Sequence, residues 1–388
     1  MKRISLNNMT TPLELKVEAG YHGRYACPVS VVIEPTLTGP VSLEDTETGA
    51  IIPGYITVVG GTARLHWLLA ELDAGQSRVY RLRPESVDRE GVAISERAGD
   101  QLDVTIGGAH FTSYHFGAHV ARPFCYPVNN VNGSSVTRNA LDDDSSEKVD
   151  HWWHRSLYVA FGEVNDNNNW DELEGHGRTV HDSYDISSNQ VFGDLTGHGD
   201  WVTVGGEPLL RETRCMRFYD VGTSPLRVFD MDLTLRATNG PVHFGDTKEG
   251  GLLSVRVAPS MNASGDGKIE NSFGGINETE CWGKRANWCD YSGPVNGQTT
   301  GIAVMEHPGS FRSPTYWHVR NYGLMGTNPF GVSAFERNPE ISGTYTLPDG
   351  DTLSFSYRVV VHDGDARDAR IADHYNQYIN PPQVTILD

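Results

Sequence analysis

Short runs in which apolar and polar residues alternate recur along most of the chain. The longest occupies residues 228–236, and similar runs occupy 13–17, 102–106 and 353–361. Alternation with a period of two predicts β-strands that turn one face to a core and the other to solvent. Several such strands with turn residues between them predict an all-β chain, built as a large antiparallel β-sandwich with long loops.

Helical spacing is confined to the end of the chain. Within residues 364–379, apolar side chains recur at i, i+4, i+7 and i+8 from Ile371 onward, which gives one apolar stripe. Pro381 and Pro382 follow and would stop a helix. The sequence therefore predicts a single C-terminal helix.

The spacing of the strands changes along the chain. Short strands and turns up to a polar stretch near Pro84 predict a small β-sandwich module over 1–88, followed by a catalytic β-sandwich over 89–388. Loops longer than ~12–15 residues are uncommon in compact domains unless they build a site. Four long segments lack a strand pattern and hold most of the Trp, His, Asn and Gly, which predicts one loop-built face. They are residues 122–155, 162–200, 262–300 and 306–335.

Composition excludes some classes of protein. The 388 residues include 31 Lys and Arg against 50 Asp and Glu, a net charge of −19, which argues against a nucleic-acid partner. Nowhere do the ~18–20 consecutive apolar residues of a membrane helix occur, so no membrane partner is expected. The first 15 residues lack the apolar segment of a signal peptide, and the five cysteines form no CxxC pair. We therefore expect a cytoplasmic protein.

The first cluster with chemical potential is Asp150-His151-Trp152-Trp153-His154-Arg155-Ser156. A run so rich in charged and bulky aromatic side chains is poor core material. We therefore predict His154 as a catalytic residue, with His151 and Arg155 in substrate binding. The alternative is a packed loop with one hydrogen-bonded His, and no HExxH or CxxC motif supports a zinc site here.

A second cluster, residues 243–250, places Asp246, Lys248 and Glu249 between glycines. Hydrolysis of a glycoside uses two carboxyl groups, one protonated and one ionised. A neighbouring Lys could hold one of them ionised and so separate their pKa values. We predict Asp246 and Glu249 as the acid–base pair and Lys248 as a binding residue, the alternative being a turn with a surface ion pair.

A third cluster lies within residues 278–291. Trp282 and Trp288 offer aromatic faces that can cover the apolar C–H side of a pyranose, while Arg285 and Asp290 offer planar polar groups for its hydroxyls. We predict all four as substrate-binding residues. The alternative is that the two Trp side chains anchor a loop.

A fourth cluster surrounds His318. If residues 317–322 form a strand, His318 and Arg320 share one face and Trp317 lies on the other. A His beside an Arg suits a general acid or base next to an anion or hydroxyl clamp, so we predict His318 as catalytic. The alternative is a structural His on a wet sheet face. The further predicted substrate-binding residues, including one from a lid-like segment upstream, are Trp170, His307, Trp317, Arg320 and Asn328.

Several motifs in these clusters together resemble a bacterial family of unknown function that is often labelled "methane oxygenase-like". The chain has no membrane span of the kind that membrane methane oxygenases possess, so we expect the label to be wrong. The motifs are RPFxYP at 122–127, HxxHRSL at 151–157, FGDTKEG at 244–250, WGKRxxWCDYSG at 282–293, WHxRxYG at 317–323 and NPFG at 328–331.

That family is similar to the galactose-mutarotase-like β-supersandwich proteins, which include sugar mutarotases, polysaccharide lyases and accessory domains of glycoside hydrolases. The resemblance implies a supersandwich fold and carbohydrate chemistry, and it supplies no catalytic residue.

The residues and the resemblance together predict a carbohydrate-active enzyme. We expect a glycoside hydrolase that uses carboxylate and His acid–base catalysis on a glycoside or oligosaccharide. A sugar epimerase, a mutarotase or a β-eliminating lyase is the alternative, and a non-catalytic sugar-binding protein is the third. No cofactor is expected to be required, although a divalent cation, for instance at the acidic run 142–147, stays open. A homo-oligomer stays open as well.

Overall fold

The computed structural model describes residues 13–387 apart from 36, 98, 140 and 142–149. The acidic run 142–147 lies outside the described residues. Antiparallel sheets make up most of the described chain, with three short helices, one of them C-terminal. This confirms the predicted all-β antiparallel sandwich. Within the described residues, no helix is both long and apolar enough to cross a bilayer.

The chain begins with a seven-stranded sheet, sheet I, that has a core of its own around the fully buried Trp67. A strandless stretch, residues 84–91, leads out of it near the predicted boundary between 1–88 and 89–388, and that division stays a prediction. The strands of sheet I are β1 (Glu14–Glu18), β2 (Arg24–Ile33), β3 (Gly39–Asp45), β4 (Ile51–Val59), β5 (Thr62–Leu72), β6 (Ser77–Arg83) and the last strand of the chain, Gln383–Leu387, which pairs with β1.

The remaining elements form a sandwich of two eight-stranded sheets, together with a two-stranded ribbon. The strands of the first part are β7 (Val92–Arg97), β8 (Gln101–Ile106), β9 (Ala109–His115), β10 (Phe124–Val128), β11 (Leu157–Phe161), β12 (Arg178–Ser188), β13 (Phe192–Val202), β14 (Pro208–Tyr219) and β15 (Leu226–Ala237). Those of the second part are β16 (Val242–Phe244), β17 (Gly250–Arg256), β18 (Lys268–Asn271), β19 (Trp288–Val295), β20 (Gln298–Glu306), β21 (Tyr316–Arg320), β22 (Leu324–Asn328), β23 (Tyr345–Leu347) and β24 (Thr352–Asp363). The strand Gln383–Leu387 of sheet I is β25. The helices are α1 (Asn277–Cys281), α2 (Val332–Phe335) and α3 (Ile371–Ile379).

Sheet II has the strand order β21-β22-β17-β11-β10-β9-β8-β7, and sheet III has the order β12-β13-β14-β15-β24-β20-β19-β18. Their inner faces share one core, in which Phe111 of sheet II packs 5.9 Å from both Phe218 and Phe229 of sheet III. Strand β11 is buried on both faces, because loops cover its outer side. Tyr158 and Ala160 point outward into a separate apolar cluster with Trp170.

The face assignment predicted for β21 is correct. Trp317 and Val319 lie in the inner core, and His318 points to the opposite face. The side-chain period of two therefore places a histidine on the outer face of sheet II.

The segments predicted to lack strands contain several, including β12 and β13. On β12 most side chains are exposed, so its pattern shows no apolar face. On β13, glycines take positions where a Cβ would collide with a neighbour; at Gly197 it would lie 2.6 Å from the Tyr114 hydroxyl. Because close packing requires glycine at these positions, β13 lacks the apolar residues that would have revealed it as a strand in the sequence.

The predicted helix over 364–379 is shorter in the structure. Residues 364–370 form turns, and α3 begins at Ile371 after Arg370, whose φ is 54°. A left-handed residue cannot continue a right-handed helix, so the helix starts where the chain leaves that conformation.

Candidate functional site

Four rings gather on the outer face of sheet II, and we call His154, Tyr158, Trp170 and His318 the ring cluster. The ring of Trp170 lies 5.1 Å from that of His154, 5.7 Å from that of Tyr158 and 6.3 Å from that of His318. At most 3% of any of these side chains is exposed. The ring cluster therefore combines hydrogen-bonding groups with nearly complete exclusion of water.

His151 closes the ring cluster toward solvent. Its half-buried ring stacks on His154 at 5.0 Å and on Tyr322 at 5.3 Å. The backbone φ is 49° at His151 and 69° at Ser156, a region that residues other than Gly seldom adopt. These two positions bracket the segment that carries His154 and Arg155. Local strain of this kind is often found at functional sites.

Arg256 fixes the protonation of His154. A guanidinium nitrogen of Arg256 lies 3.1 Å from Nδ1 of His154, and a guanidinium can only donate, so we assign the imidazole proton to Nε2. Burial, and after it the charge of Arg256, holds the pKa of His154 far below its usual value. His154 is thus a neutral N–H donor, and within the described part of the chain its Nε2 has no hydrogen-bond partner.

His318 reaches the ring cluster from β21. Neither ring nitrogen makes a hydrogen bond of normal geometry to a described residue. Burial, followed by the charges of Arg320 and Lys248, lowers the pKa of His318 to about 3, although the nearby backbone of Gly250 and Lys248 opposes this. At neutral pH His318 is therefore a neutral imidazole, the form in which a histidine can accept a proton, although a pKa this low makes it a weak base.

Tyr158 adds a hydroxyl group to the same space. It stands opposite Ser254 on β17, and among the described residues its hydroxyl makes no hydrogen bond of normal geometry. Burial raises the pKa of Tyr158, so the phenol keeps its proton. The ring cluster therefore presents a proton acceptor on His318 and proton donors on His154 and Tyr158.

Buried arginines surround these rings. Arg138 donates to the carbonyls of Asp150, His151 and His154 at 2.8, 2.7 and 3.0 Å, which holds the strained loop in place. Two more cations of the same region share a single buried carboxylate. Glu172 accepts from Arg155 at 2.9 and 2.6 Å and from Arg122 at 3.1 Å.

Charged and aromatic residues form a half-buried rim beside His318. Lys248 and Glu249 form an ion pair there, with 40% and 46% of their side chains exposed. Arg320 donates to Glu278 at 2.7 Å and lies 5.3 Å over the ring of Trp282. Three residues predicted for the site, Lys248, Arg320 and Trp282, therefore line the rim, together with the predicted acid–base residue Glu249.

Two other predicted residues hold the backbone of the neighbouring loops. The carboxylate of Asp246 accepts from the backbone N–H groups of Ser333 at 3.1 Å and Gly343 at 2.8 Å. Asn328 is fully buried and donates to the carbonyl of Thr247 at 2.9 Å. These contacts give both residues a structural task, and the catalytic assignment of Asp246 stays a prediction.

Three predicted binding residues lie inside the packed sheets. Trp317 is in the inner core and donates to the carbonyl of Ala286 at 2.8 Å. Trp288 packs on the other side of sheet III. Asp290 is fully buried, and its carboxylate lies 2.8 Å from His362. Burial by itself would lower the pKa of His362, but the carboxylate of Asp290 outweighs that effect, so the pKa of His362 is raised.

The last two predicted residues lie away from the ring cluster. Arg285 is exposed and donates to the carbonyls of Pro314 at 2.8 Å and Arg312 at 3.0 Å. His307 lines a cavity of about 480 Å³ between sheets I and III, with its ring 5.4 Å from that of Tyr378. The roles predicted for both in substrate binding stay predictions.

That cavity is a weaker candidate than the ring cluster. Its charged lining groups are already paired with one another. Arg358, for example, donates two hydrogen bonds to the carboxylate of Asp230, at 2.7 and 2.9 Å. The ring cluster, by contrast, concentrates buried polar atoms that have no partner among the described residues. Buried polar groups are nearly always hydrogen-bonded, so such a concentration points to a ligand. We therefore place the candidate site at the ring cluster.

Sequence reasoning missed the residues that join the site from distant strands and loops, above all Tyr158 and Arg256. Each interrupts a run of mostly apolar residues in a buried strand, and that interruption was the available signal. Arg138 and Glu172 carried no pattern of their own. As for metals, no three described His, Cys, Asp or Glu side chains are grouped so as to hold an ion.

Residues 101–376 match the family described as "Family of unknown function (DUF6807)", and the chain belongs to it. All the predicted site residues, and the ring cluster, lie within this range. The match agrees with the resemblance to a family of unknown function, while the relation to mutarotase-like enzymes stays a prediction. No curated protein matches the chain.

Two solved structures from Enterococcus faecalis resemble the fold weakly. One is described as a protein in glycosyl hydrolase family 38, with 8% identity and a TM-score of 0.44, covering 97% of this chain and 47% of that one. The other, an α-mannosidase from strain V583, has 7% identity and a TM-score of 0.44, covering 97% and 46%. The chain spans about half the length of these structures, and at this level the likeness says nothing about function.

Proposed function

We propose that the protein is a carbohydrate-active enzyme that moves protons on a sugar with the ring cluster. One observation carries this proposal. His154, Tyr158 and His318 bring an acceptor and two donors together in one buried cluster, and Nε2 of His154 has no hydrogen-bond partner among the described residues. The polar groups beside the other two, the backbone of Gly250 and Lys248 at His318 and the side chain of Ser254 at Tyr158, make no hydrogen bond of normal geometry with them. Enzymes that isomerise a sugar or eliminate from it need one base and one acid, and they need no carboxylate pair.

Sugar recognition would rest on the aromatic surfaces and the donors around them. The ring of Tyr322, which His151 and Arg256 cover, would bind the apolar C–H face of a pyranose once one of them moves aside, and Arg256 and His154 can bind the oxygens of the sugar. The rim at Trp282 and Arg320 has the same combination of ring and guanidinium. Two such places suit a substrate that extends beyond one sugar ring.

The proposed roles follow from the protonation states. His318 takes a proton from a ring carbon, His154 donates a hydrogen bond from Nε2 to an oxygen on which charge develops, and Tyr158 gives or shares the second proton. In an elimination, the C–H electron pair forms a C=C bond, the neighbouring C–O bond breaks, and Tyr158 protonates the departing oxygen. In an epimerisation, a proton returns to the same carbon from its other face.

Hydrolysis of a glycosidic bond with Asp246 and Glu249 is the second candidate. The position of Glu249 favours it, because its charge contributes to the raised pKa of Tyr322 and its ion-pair partner Lys248 acts on His318. Glu249 therefore lies at the rim of the candidate site. Asp246 would have to exchange the backbone N–H groups it now holds for a role on the substrate.

Product analysis in ¹⁸O-labelled water separates these candidates. We would incubate the protein with neutral and uronate-containing oligosaccharides and examine the products by mass spectrometry. Elimination or isomerisation leaves no ¹⁸O at the reacting carbon, whereas hydrolysis incorporates it. Incorporation of ¹⁸O would overturn the proposal in favour of hydrolysis, and tight binding with no product would support a sugar-binding protein.

Variants of the ring cluster provide the matched test. We expect His318→Gln and Tyr158→Phe each to lower kcat/KM about 100- to 10,000-fold, the usual contribution of a positioned acid or base. The control is His198→Gln, a half-buried histidine on sheet III that lies 3.2 Å from the Thr213 hydroxyl. If both cluster variants keep full activity, the ring cluster is not the reaction centre.

A further inference from the structure

The surroundings of the ring cluster carry an excess of buried positive charge. Arg122, Arg138, Arg155 and Arg256 are each at most 9% exposed. Glu172 is the buried carboxylate that serves them in the described structure, and it is already shared by Arg122 and Arg155. This excess stands out in a protein whose net charge is −19.

Arg138 and Arg256 form no ion pair with any described carboxylate. The bonds of Arg138 go to backbone carbonyls, and the described hydrogen bond of Arg256 goes to neutral His154. Burial, and then their mutual repulsion, lowers the pKa of Arg138 to about 10. Asp150 is the carboxylate that acts on both, but 59% of its side chain is exposed.

A buried charge without a counter-ion is costly, so folds seldom keep one unless a ligand supplies the opposite charge. Two such cations lie beside a site that we have already proposed to bind a sugar. No described carboxylate supplies the opposite charge inside the site, and a substrate that carries a negative charge would supply it.

We infer that the site takes a sugar that carries a carboxylate, a uronate, and that Arg256 is the residue that recognises this group. The inference rests on the proposed function for the kind of substrate, and on the uncompensated arginines for its charge. A guanidinium binds a carboxylate through two parallel hydrogen bonds. The guanidinium carbon of Arg256 lies 4.6 Å from the centre of the Tyr322 ring. His154 Nε2 and the Tyr158 hydroxyl are the further donors of the ring cluster.

A carboxylate would also assist the proton transfer proposed for the ring cluster. It acidifies the C–H bond of the carbon that bears it, which is the bond His318 would have to break. The electron pair of that bond forms the new C=C bond as the C–O bond to the leaving oxygen breaks. Tyr158 protonates that oxygen and recovers its proton from the imidazolium of His318, so no oxidant or reductant is required.

Binding of simple sugars tests the inference. Calorimetric titration of the full chain would compare sodium D-galacturonate and D-glucuronate with D-galactose, D-glucose, the methyl ester of galacturonate and a sulfated galactose. We expect the uronates to bind at least about tenfold more tightly than the neutral sugars, with the methyl ester among the weak binders. If neutral sugars bind as tightly as the uronates, the inference is wrong. If the sulfated galactose binds most tightly, the group that the site recognises is a sulfate and not a carboxylate.

Variants of Arg256 add a second arm. We expect Arg256→Gln to abolish the preference for uronates, with a smaller loss of affinity for neutral sugars, and Arg256→Lys to retain part of the preference. The matched control is Arg227→Gln, which removes a similarly buried arginine from β15. An unchanged uronate preference in Arg256→Gln contradicts the assignment. If this variant does not fold, the comparison of acid, ester and sulfate on the unmodified protein still decides.

The two proposals fail separately. Turnover of a neutral sugar that is lost in His318→Gln would keep the proposed function and refute the uronate inference. Binding of uronates through Arg256 without turnover of any uronate-containing oligosaccharide would keep the inference and refute the proposed function.

Discussion

At the scale of single residues, protonation in the ring cluster is set by neighbours that only donate or only accept. Arg256 cannot accept a hydrogen bond, so His154 must carry its proton on Nε2. His318 has no such donor beside it; the backbone of Gly250 and Lys248 lies nearby and makes no hydrogen bond of normal geometry with its ring. Two histidines on the same sheet face thus take opposite roles, one as a donor and the other as an acceptor.

Asp246 is the residue for which a structural and a catalytic role give different expectations. We expect Asp246→Ala to lower the free energy of unfolding by about 1–3 kcal/mol, because the buried N–H groups of Ser333 and Gly343 lose their acceptor. Urea unfolding measures this change. A variant that loses activity while its unfolding midpoint stays the same would return Asp246 to the acid–base pair.

At the scale of elements, the site is built on the outer faces of strands β11, β17 and β21, which carry Tyr158, Arg256 and His318. Loops cover these side chains. The loop over residues 168–176 is fixed through Glu172, which binds Arg122 and Arg155 while exposing only 5% of its side chain. This carboxylate therefore connects the loop to the segment before β11 and to the segment before β10.

Removal of that carboxylate should be strongly destabilising. We expect Glu172→Gln to lower the free energy of unfolding by about 3–5 kcal/mol, the usual cost of leaving buried partners unpaired. Glu174→Gln, an exposed neighbour in the same loop, is the control and should change stability little. Chemical denaturation of both variants measures the difference. Equal stabilities would mean that the loop is held in another way.

The sequence predicts elements well where side chains alternate and poorly where glycine or exposed residues hide the period. The faces of β21 follow directly from the order Trp317-His318-Val319, and the structure has them as predicted. Strand β13 was missed because glycines replace its apolar residues at close contacts. The start of α3 depends on a left-handed residue, which spacing alone does not reveal.

The sequence predicts only those site residues that stand in a distinctive local run. His154, Arg155, His318 and Trp170 stand in unusual local runs, and the structure brings them to one region. A high density of tryptophan and charged residues does not by itself distinguish a site from a core, since Trp288 lies in a run of this kind and packs in a core. Contacts between distant strands, such as that of Arg256 with His154, have no local pattern to predict them.

At the scale of the whole molecule, acidic residues dominate the composition, while Arg138 and Arg256, which form no ion pair with a described carboxylate, lie at one buried site. The excess of 50 acidic over 31 basic residues makes the protein anionic overall. An anionic substrate is repelled by such a protein at long range and has to be held by local charge. We therefore expect uronate binding to depend on Arg256 rather than on the net charge.

Several buried histidines make the stability of the whole protein sensitive to acid. Burial, and then nearby cations, lower the pKa of His374 to about 3, and burial lowers that of His66 to about 4. These groups are neutral when folded but bind protons when unfolded below about pH 6.5. Their contribution to stability is therefore complete above pH 6.5 and is lost as the pH falls toward the folded pKa.

Each such histidine should lower the free energy of unfolding by about 2 kcal/mol as the pH falls from 7 to 5. We expect His374→Gln to lose about that much less stability over this range than the unmodified protein. Urea unfolding at several pH values measures the slope, and His22→Gln, an exposed position, should leave it unchanged. An unchanged slope in His374→Gln would mean that His374 is protonated in the folded state.

The central claim is that the ring cluster moves a proton at a carbon atom of a sugar. The most direct measurement is the rate of turnover of a uronate-containing oligosaccharide with deuterium in place of hydrogen on the carbon that bears the carboxylate. We predict slower turnover of the deuterated substrate, because His318 must break that bond, and loss of the label to water. Equal rates with the deuterium retained in the product would contradict the claim.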